Sequence, residues 1–368
     1  MKPKNSLSMA LLAAVSSVIS YRGSREEVCN AKGAPVMTPK RETLENALRS
    51  IDEFRFEPEA GNGAVHDRIE EANASLFAST HLSEPLTNYS VGWRDESGLD
   101  EALAFFAPEV VVGSKFEYRQ FVNADDFETD TDDERAIGAD FKTVKETGTM
   151  VNDKLVNRGL QIYVDEDEVN DDPSWRERKV AKLLRRIKRN ALLRAVAIIE
   201  AAATDTAVTW DTTAGKDPDQ DVETMLAAAL DSSGMGVNRV AFGETARLKR
   251  KLCIRAQTHA GGFANAGMNA ADLAAYYGVD EVFFAKSRYG AGATKTRVAA
   301  TKVYAFTAFN GLDAEDPSNI KRFYRLLDGQ RYRVYEWRDG AKGYRIAVEH
   351  YEKIKLTSTL GIRKLTVS

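Results

Sequence analysis

Cysteine is almost missing from this chain: 368 residues hold only Cys29 and Cys253. That excludes a disulfide framework, a CxxC redox pair and a cysteine-built zinc cage. Histidine is as scarce. His66, His81, His259 and His350 stand isolated, with no HExxH pair to seed a metal centre. No long hydrophobic run is present. The stretch from Leu7 to Ile19, broken by Ser8, Ser16 and Ser17, is too short to cross a bilayer core of about 30 Å as a helix. A strong net charge is also absent. At −4 the balance argues against a dedicated nucleic-acid binder, which would be strongly basic.

What is there is ordinary globular composition, 43% hydrophobic and 29% charged, which excludes wholesale disorder and a polytopic membrane protein. A chain of this length should build two or three packing units, because a single core rarely outgrows about 250 residues.

The enzyme motifs fail on spacing. Gly290-Ala291-Gly292-Ala293-Thr294-Lys295-Thr296 places Thr294 where a P-loop needs glycine, so a turn is the better reading. No GxSxG elbow appears. Cys253, beside Arg250, Lys251 and Arg255, reads as helix packing rather than a nucleophile. Asp130, Asp132 and Glu134 have the alternate spacing of a calcium loop. Arg135 then replaces its glycine and Phe141 its closing glutamate. No catalytic residue, metal site or cofactor is therefore expected.

Charge distribution carries more than its sum. Asn123 to Asp172 holds 16 acidic and 5 basic residues, a local net of −11. Pro173 to Glu200 holds 9 basic and 2 acidic, a local net of +7. Blocks of opposite sign can pair within one chain, pair with a neighbouring copy, or face solvent separately.

The order of elements can be read coarsely. Residues 1–107 read as an N-terminal helical arm. Within it Met1–Ser20 would bury its apolar side on a partner, although Lys2 and Lys4 before an apolar run also fit a secretory signal. Further helices are expected after Pro39 and from Val65 to Phe77. Residues 108–164 alternate with period two on both sides of an acidic segment, a long hairpin-like loop expected either to project onto another molecule or to be functional. Its contact residues are expected to be Phe116, Tyr118, Phe121, Asp130, Asp132, Asp133 and Phe141. Asp165 to Glu168 should favour the N-terminus of the coming helix.

A spine helix over 174–203 follows, opened by a Ser174/Glu177 capping box and closed by Thr204 and Asp205. Its basic face comprises Arg178, Lys182, Arg185, Arg186 and Arg189, turned toward another subunit or an enclosed lumen. Residues 211–310 alternate helix and strand as an α/β unit, and the chain beyond Pro317 is β-rich.

This order resembles the major capsid protein of tailed bacteriophages, of the Hong Kong 97 type. The resemblance covers roughly Phe105 to Val367. It is carried by FFAPEVVVGSKFEYRQF and NRGLQIYVDEDEVND around the loop, by DVETMLAAALDSSGMGVNRVAFG and ADLAAYYGVDEVFFAKSRY, and by the closing HYEKIKLTSTLGIRKLTV. It implies a mixed α+β fold with an extended loop over a neighbouring subunit. Residues 165–210 and 311–368 would form a peripheral domain around the spine helix, and 211–310 an axial domain at the vertices. It further implies a non-enzymatic shell protein in the virion capsid, assembled in the host cytoplasm from pentamers and hexamers around double-stranded DNA. Scaffold, portal and decoration proteins are implied partners; no membrane is. Two alternatives stay open: an encapsulin-like nanocompartment around a cargo enzyme, and a metal-dependent hydrolase using the Asp125–Asp140 carboxylates.

Overall fold

The computed structural model describes residues 81–120, 149–169, 172–257, 262–311 and 317–368, with 134, 135, 137 and 140 as isolated positions. The chain divides after Ala72 into two units, and every described residue belongs to the second. The expectations for Met1–Ser20, for the helices after Pro39 and from Val65, and for Phe121, Asp130, Asp132, Asp133 and Phe141 lie outside the described residues.

Two short helices, α1 (Glu84–Gly92) and α2 (Leu99–Phe106), open the described chain. Strands β1 (Glu109–Val111), β2 (Lys115–Gln120), β3 (Thr149–Lys154) and β4 (Val156–Asp165) follow, then a 3-10 turn, Glu166–Glu168. Helix α3 (Trp175–Ala202) has 28 residues and is about 42 Å long. Strand β5 (Thr204–Val208) begins two residues after it. Next come α4 (Pro218–Ser233), β6 (Arg239–Gly243), α5 (Glu244–Ala256), α6 (Gly262–Gly267) and α7 (Ala270–Tyr277). Strands β7 (Glu281–Ala285), β8 (Arg288–Tyr289), β9 (Thr296–Arg297) and β10 (Lys302–Phe306) are followed by β11 (Ile320–Tyr324), β12 (Arg333–Asp339), β13 (Gly343–Leu356) and β14 (Arg363–Val367).

Beside the two-stranded pairs β2 with β3 and β8 with β9, the other ten strands form two five-stranded sheets. In the first, β13 pairs with β4, β11 and β12, and β1 joins β11 in parallel. The second runs β5-β14-β10-β6-β7. Two of its strands come from outside the expected 211–310 boundary, because β5 and β14 pair in parallel at its edge. Burial decides this: Leu365 and Val367, only 1% and 2% exposed, fill the core shared by Val222, Val240 and Val303. The loop is also shorter than expected. Strands β1 and β4 belong to the first sheet, and only β2 and β3 pair with each other.

Helix α3 starts without its capping box. Ser174 has ψ 20 rather than the extended backbone a cap needs, and its side chain makes no cap hydrogen bond. Asp172 Oδ1 instead accepts from the Ser174 N–H and hydroxyl, each at 3.1 Å. The carboxylates before the helix are spent elsewhere: Lys342 donates to Asp167 at 2.9 Å and Arg338 lies 3.5 Å from Glu166.

The expected arm is not separate at its C-terminal end. Leu99, Ala102, Leu103, Phe105 and Phe106 are each at most 2% exposed, packed against Leu192, Ala195 and Ile199 of α3. Phe105 stacks on Phe283 at 5.0 Å, and Phe106 on Phe306 at 6.0 Å. Helix α2 therefore ties the spine helix to the second sheet. Arg239 Nη1 reinforces the joint by donating to the carbonyls of Ala104 and Phe105, at 2.9 and 2.5 Å.

The first sheet is seated on α3 by apolar and ionic layers. Val180, Leu184 and Ile187 meet Ile346 and Val348. One turn further on, the interface becomes charged. Glu352, 1% exposed, accepts from Arg194 at 2.9 Å and from Arg331 at 3.3 Å. Arg322, 3% exposed, lies 3.9 Å from Glu352, and both Arg322 and Arg331 also pair with Glu109. Arg158 adds a fourth guanidinium whose charge is felt at His350. Four cations thus surround two carboxylates. Burial alone would raise the Glu352 pKa, but Arg322, His350, Arg331 and Arg194 together hold it below the usual carboxylate range. Burial pushes Arg322 down to about 10, which leaves it charged at neutral pH.

His350 sits in this seam at 1% exposure, with neither ring nitrogen hydrogen-bonded. Burial pushes its pKa down to about 4 against the pull of Glu352, so the native ring is neutral.

Two predictions follow from the seam. Glu352→Gln leaves buried guanidiniums uncompensated and should cost about 3–5 kcal/mol, read as a lowered urea midpoint. An unchanged midpoint would mean that solvent already neutralises the cluster. In acid, an unfolded histidine near pKa 6.5 takes up a proton that native His350 refuses. Stability should therefore fall by up to about 3 kcal/mol between pH of about 6.5 and 4. In His350→Leu the melting temperature should depend less on pH across that window; an unaltered slope would clear His350 of the effect.

Candidate interaction surfaces

Among the described residues no group of three or more His, Cys, Asp or Glu side chains could hold a metal ion. Cys253 is fully buried and burial raises its pKa, while neighbouring Arg250 is engaged with Asp219 at 2.6 and 2.9 Å. The glycine-containing turn near Thr294 joins β8 to β9 and is exposed. The features that can act on another molecule are surfaces.

The first is the root of the loop. Successive residues of a strand face opposite sides of its sheet, so Arg322 and Glu352 point to α3 while Phe323, Lys353 and Lys355 point away. On that far side Phe116 and Tyr118 pack on Phe323, with ring centroids 4.5 and 5.6 Å apart. Phe116 is 8% exposed and Tyr118 6%. Both were expected at an inter-subunit contact; they are buried within their own chain. The strand alternation was read correctly, but period two alone does not say which molecule covers the apolar side. Asp153 completes the anchor by pairing with Lys353 and, at 3.2 Å, with Lys355. Burial opposes ionisation of Asp153, but the two lysines and the Lys154 N–H hold its pKa below normal. Residues 121–148 continue from this root.

The second surface is the stripe on α3. At 100° per residue, Arg178, Lys182, Arg185, Arg186 and Arg189 fall within an arc of about 100°. This is the side of the helix opposite the sheet. Arg178, Lys182, Arg185 and Arg186 are exposed and Arg189 is half-buried. Two of the five are committed internally: Arg178 pairs with Asp172, and Arg185 donates to Asp95 at 2.9 Å. Burial would raise the Asp95 pKa, yet the Ser97 hydroxyl and Arg185 lower it overall. Trp93 lies under this pair, with Lys188 Nζ 4.6 Å from its ring centre. Lys182, Arg186 and Arg189 have no carboxylate partner among the described residues.

The loop root and the stripe therefore lie on opposite faces of the first sheet. Of the acidic block, Asp172 pairs with Arg178 at the start of the stripe, whereas Asp153 lies at the loop root on the other face of the sheet. Nothing in the sequence warned of the Glu352 seam, beyond His350 and Glu352 at alternate positions on the otherwise apolar face of β13.

No family model matches this chain, and no curated protein does. Solved structures do. A phage-related protein from Bordetella bronchiseptica aligns over 77% of this chain and 96% of its own, with 20% identity and a TM-score of 0.57. This chain has that protein's fold. The mixed α+β architecture expected from the Hong Kong 97-type resemblance holds at this level. The capsid of cyanophage P-SCSP1u is similar at a TM-score of 0.45 with 9% identity, over 71% of this chain and 86% of its own. A virus-like particle from Pyrococcus furiosus is similar at 0.41 with 14% identity, over 73% and 98%. Likeness below 0.5 says nothing further about this chain. No helix among the described residues is long and apolar enough to cross a membrane.

The anchored root generates a prediction. Asp153→Asn removes two ion pairs at a largely buried carboxylate, a loss of about 1 kcal/mol. Amide exchange in β2 and β3 should quicken about five-fold, with β12 and β13 unaffected. Equal rates would show that the Phe116–Tyr118–Phe323 stack suffices.

Proposed function

We propose that this chain is the structural subunit of a closed shell, a major capsid protein that encloses a double-stranded DNA phage genome. The observation that carries the reading is the fold shared with a phage-related protein along nearly that protein's whole length. A second observation supports it: the surface features described above are interaction faces, the β2–β3 root and the basic stripe of α3. A shell needs large complementary faces repeated by symmetry rather than an active site.

In this reading the segment 121–148 reaches over a neighbouring copy, with Phe121, Asp130, Asp132, Asp133 and Phe141 as its contact residues. The first sheet and α3 form the peripheral domain, and the second sheet with α4, α5 and α7 forms the axial domain. Pentamers and hexamers of this chain build the shell in the host cytoplasm, with scaffold, portal and decoration proteins as partners. Exposed ion pairs are each worth about 0–1 kcal/mol, so cohesion rests mainly on buried apolar area repeated over many contacts. Exposed Met150 and Val156, next to the loop root, are apolar surface available for such burial.

Light scattering on the purified full-length protein, with negative-stain imaging, tests the reading. Megadalton hollow spheres are expected, and nucleic acid inside them marks a virion shell. Spheres filled with a copurifying protein would instead make this an encapsulin-like compartment. A stable monomer or dimer, with or without added partners, would overturn the shell.

A further inference from the structure

We propose that the stripe on α3 is a phosphate-contacting surface, on which Lys182, Arg186 and Arg189 neutralise the backbone of a nucleic acid without reading its sequence. The inference rests on the shell reading and names what one face of the shell touches.

Three observations carry it. The stripe is dense: five cations between Arg178 and Arg189 span about 16 Å of helix. A DNA duplex carries one phosphate per about 1.7 Å, so the two charge patterns are of matching scale. The stripe is also partly unspent. Asp172 and Asp95 engage Arg178 and Arg185, while the other three have no carboxylate partner among the described residues. The buried Nε of Arg189 has no hydrogen bond at all.

The root formed by β2 and β3 packs on Phe323 and ties Asp153 to Lys353 and Lys355, on the sheet face opposite α3. Copies set side by side in a closed layer turn every stripe to one side and every such root to the other. The basic faces then line one surface of the layer together, where a polyanion can meet many of them at once. The modest overall charge of −4 is compatible with this, because the basic surface is confined to one face.

The test is the salt dependence of duplex binding. A labelled duplex of about 30 base pairs is titrated with full-length protein at salt between about 50 and 200 mM, read by fluorescence anisotropy. Neutralising the stripe with Lys182→Gln, Arg186→Gln and Arg189→Gln should weaken binding at least ten-fold at the lowest salt. It should also flatten the slope of log K against log salt by about 2 to 3 units. A matched variant, Lys249→Gln, Lys251→Gln and Lys286→Gln, should leave the slope unchanged. The charge-keeping variant Lys182→Arg, Arg186→Lys and Arg189→Lys should retain wild-type binding, which separates loss of charge from loss of fold.

Equal slopes for the neutralised and wild-type proteins would overturn the proposal. So would binding of a peptide of residues 123–140 to the stripe with no binding of the duplex, since the surface would then be a protein contact. Particle mass is read separately. Shells that form with equal slopes refute the stripe alone, whereas a flattened slope without shells refutes the shell and keeps the stripe.

Discussion

The seat of the first sheet on α3 depends on Glu352. The carboxylate is almost wholly buried, yet it lies where α3, β11, β4 and the segment before β12 each deliver an arginine. Without it, Arg194, Arg322 and Arg331 would confront one another in a poorly solvated seam, with only the half-exposed Glu109 to relieve them. Such a seam is no cheap source of stability, because desolvating ions costs about as much as their pairing returns. What it offers is register. An apolar strand could slide along α3 by one pleat pair at modest cost. A strand that must place one carboxylate among four guanidiniums has a single acceptable position.

The second constraint is the aromatic joint at α2. Phe105 and Phe106 carry the spine helix to Phe283 and Phe306 of the other sheet, so the two halves share one continuous core instead of meeting across a polar linker. Strands β5 and β14 strengthen the same connection, since β5 leaves α3 directly and β14 returns from the first sheet. A shared core of this kind resists hinging between the two sheets. That suits a molecule whose proposed work is to hold its neighbours at fixed angles.

Much of the architecture was legible from pattern. The stripe of apolar residues from Val180 to Ile198 announced a long helix, and Gly234 marked the end of α4 with a left-handed φ of 71°. Asn269 and Asp272 form the capping box of α7, although it was Ser174 and Glu177 that the sequence advertised. The failures share a cause. Capping at Ser174 was pre-empted by Asp172, two residues earlier. The inter-subunit role expected of Phe116 and Tyr118 was pre-empted by Phe323, two hundred residues later. In each case the competing partner was invisible to local reading.

The amino-acid sequence by itself determined where helices and strands form, where charge of each sign accumulates, and that no catalytic or metal-binding motif is spelled out. Those properties depend on residues a few positions apart, whose spacing sets period and charge density. Only the tertiary structure decided which face each side chain occupies. It put Glu352 among arginines drawn from four segments, and β14 in the sheet opposite its sequence neighbours. It also set the β2–β3 root and the basic stripe of α3 on the two sides of one sheet. Burial and sheet pairing act between residues a hundred or more positions apart, and spacing along the chain does not encode them.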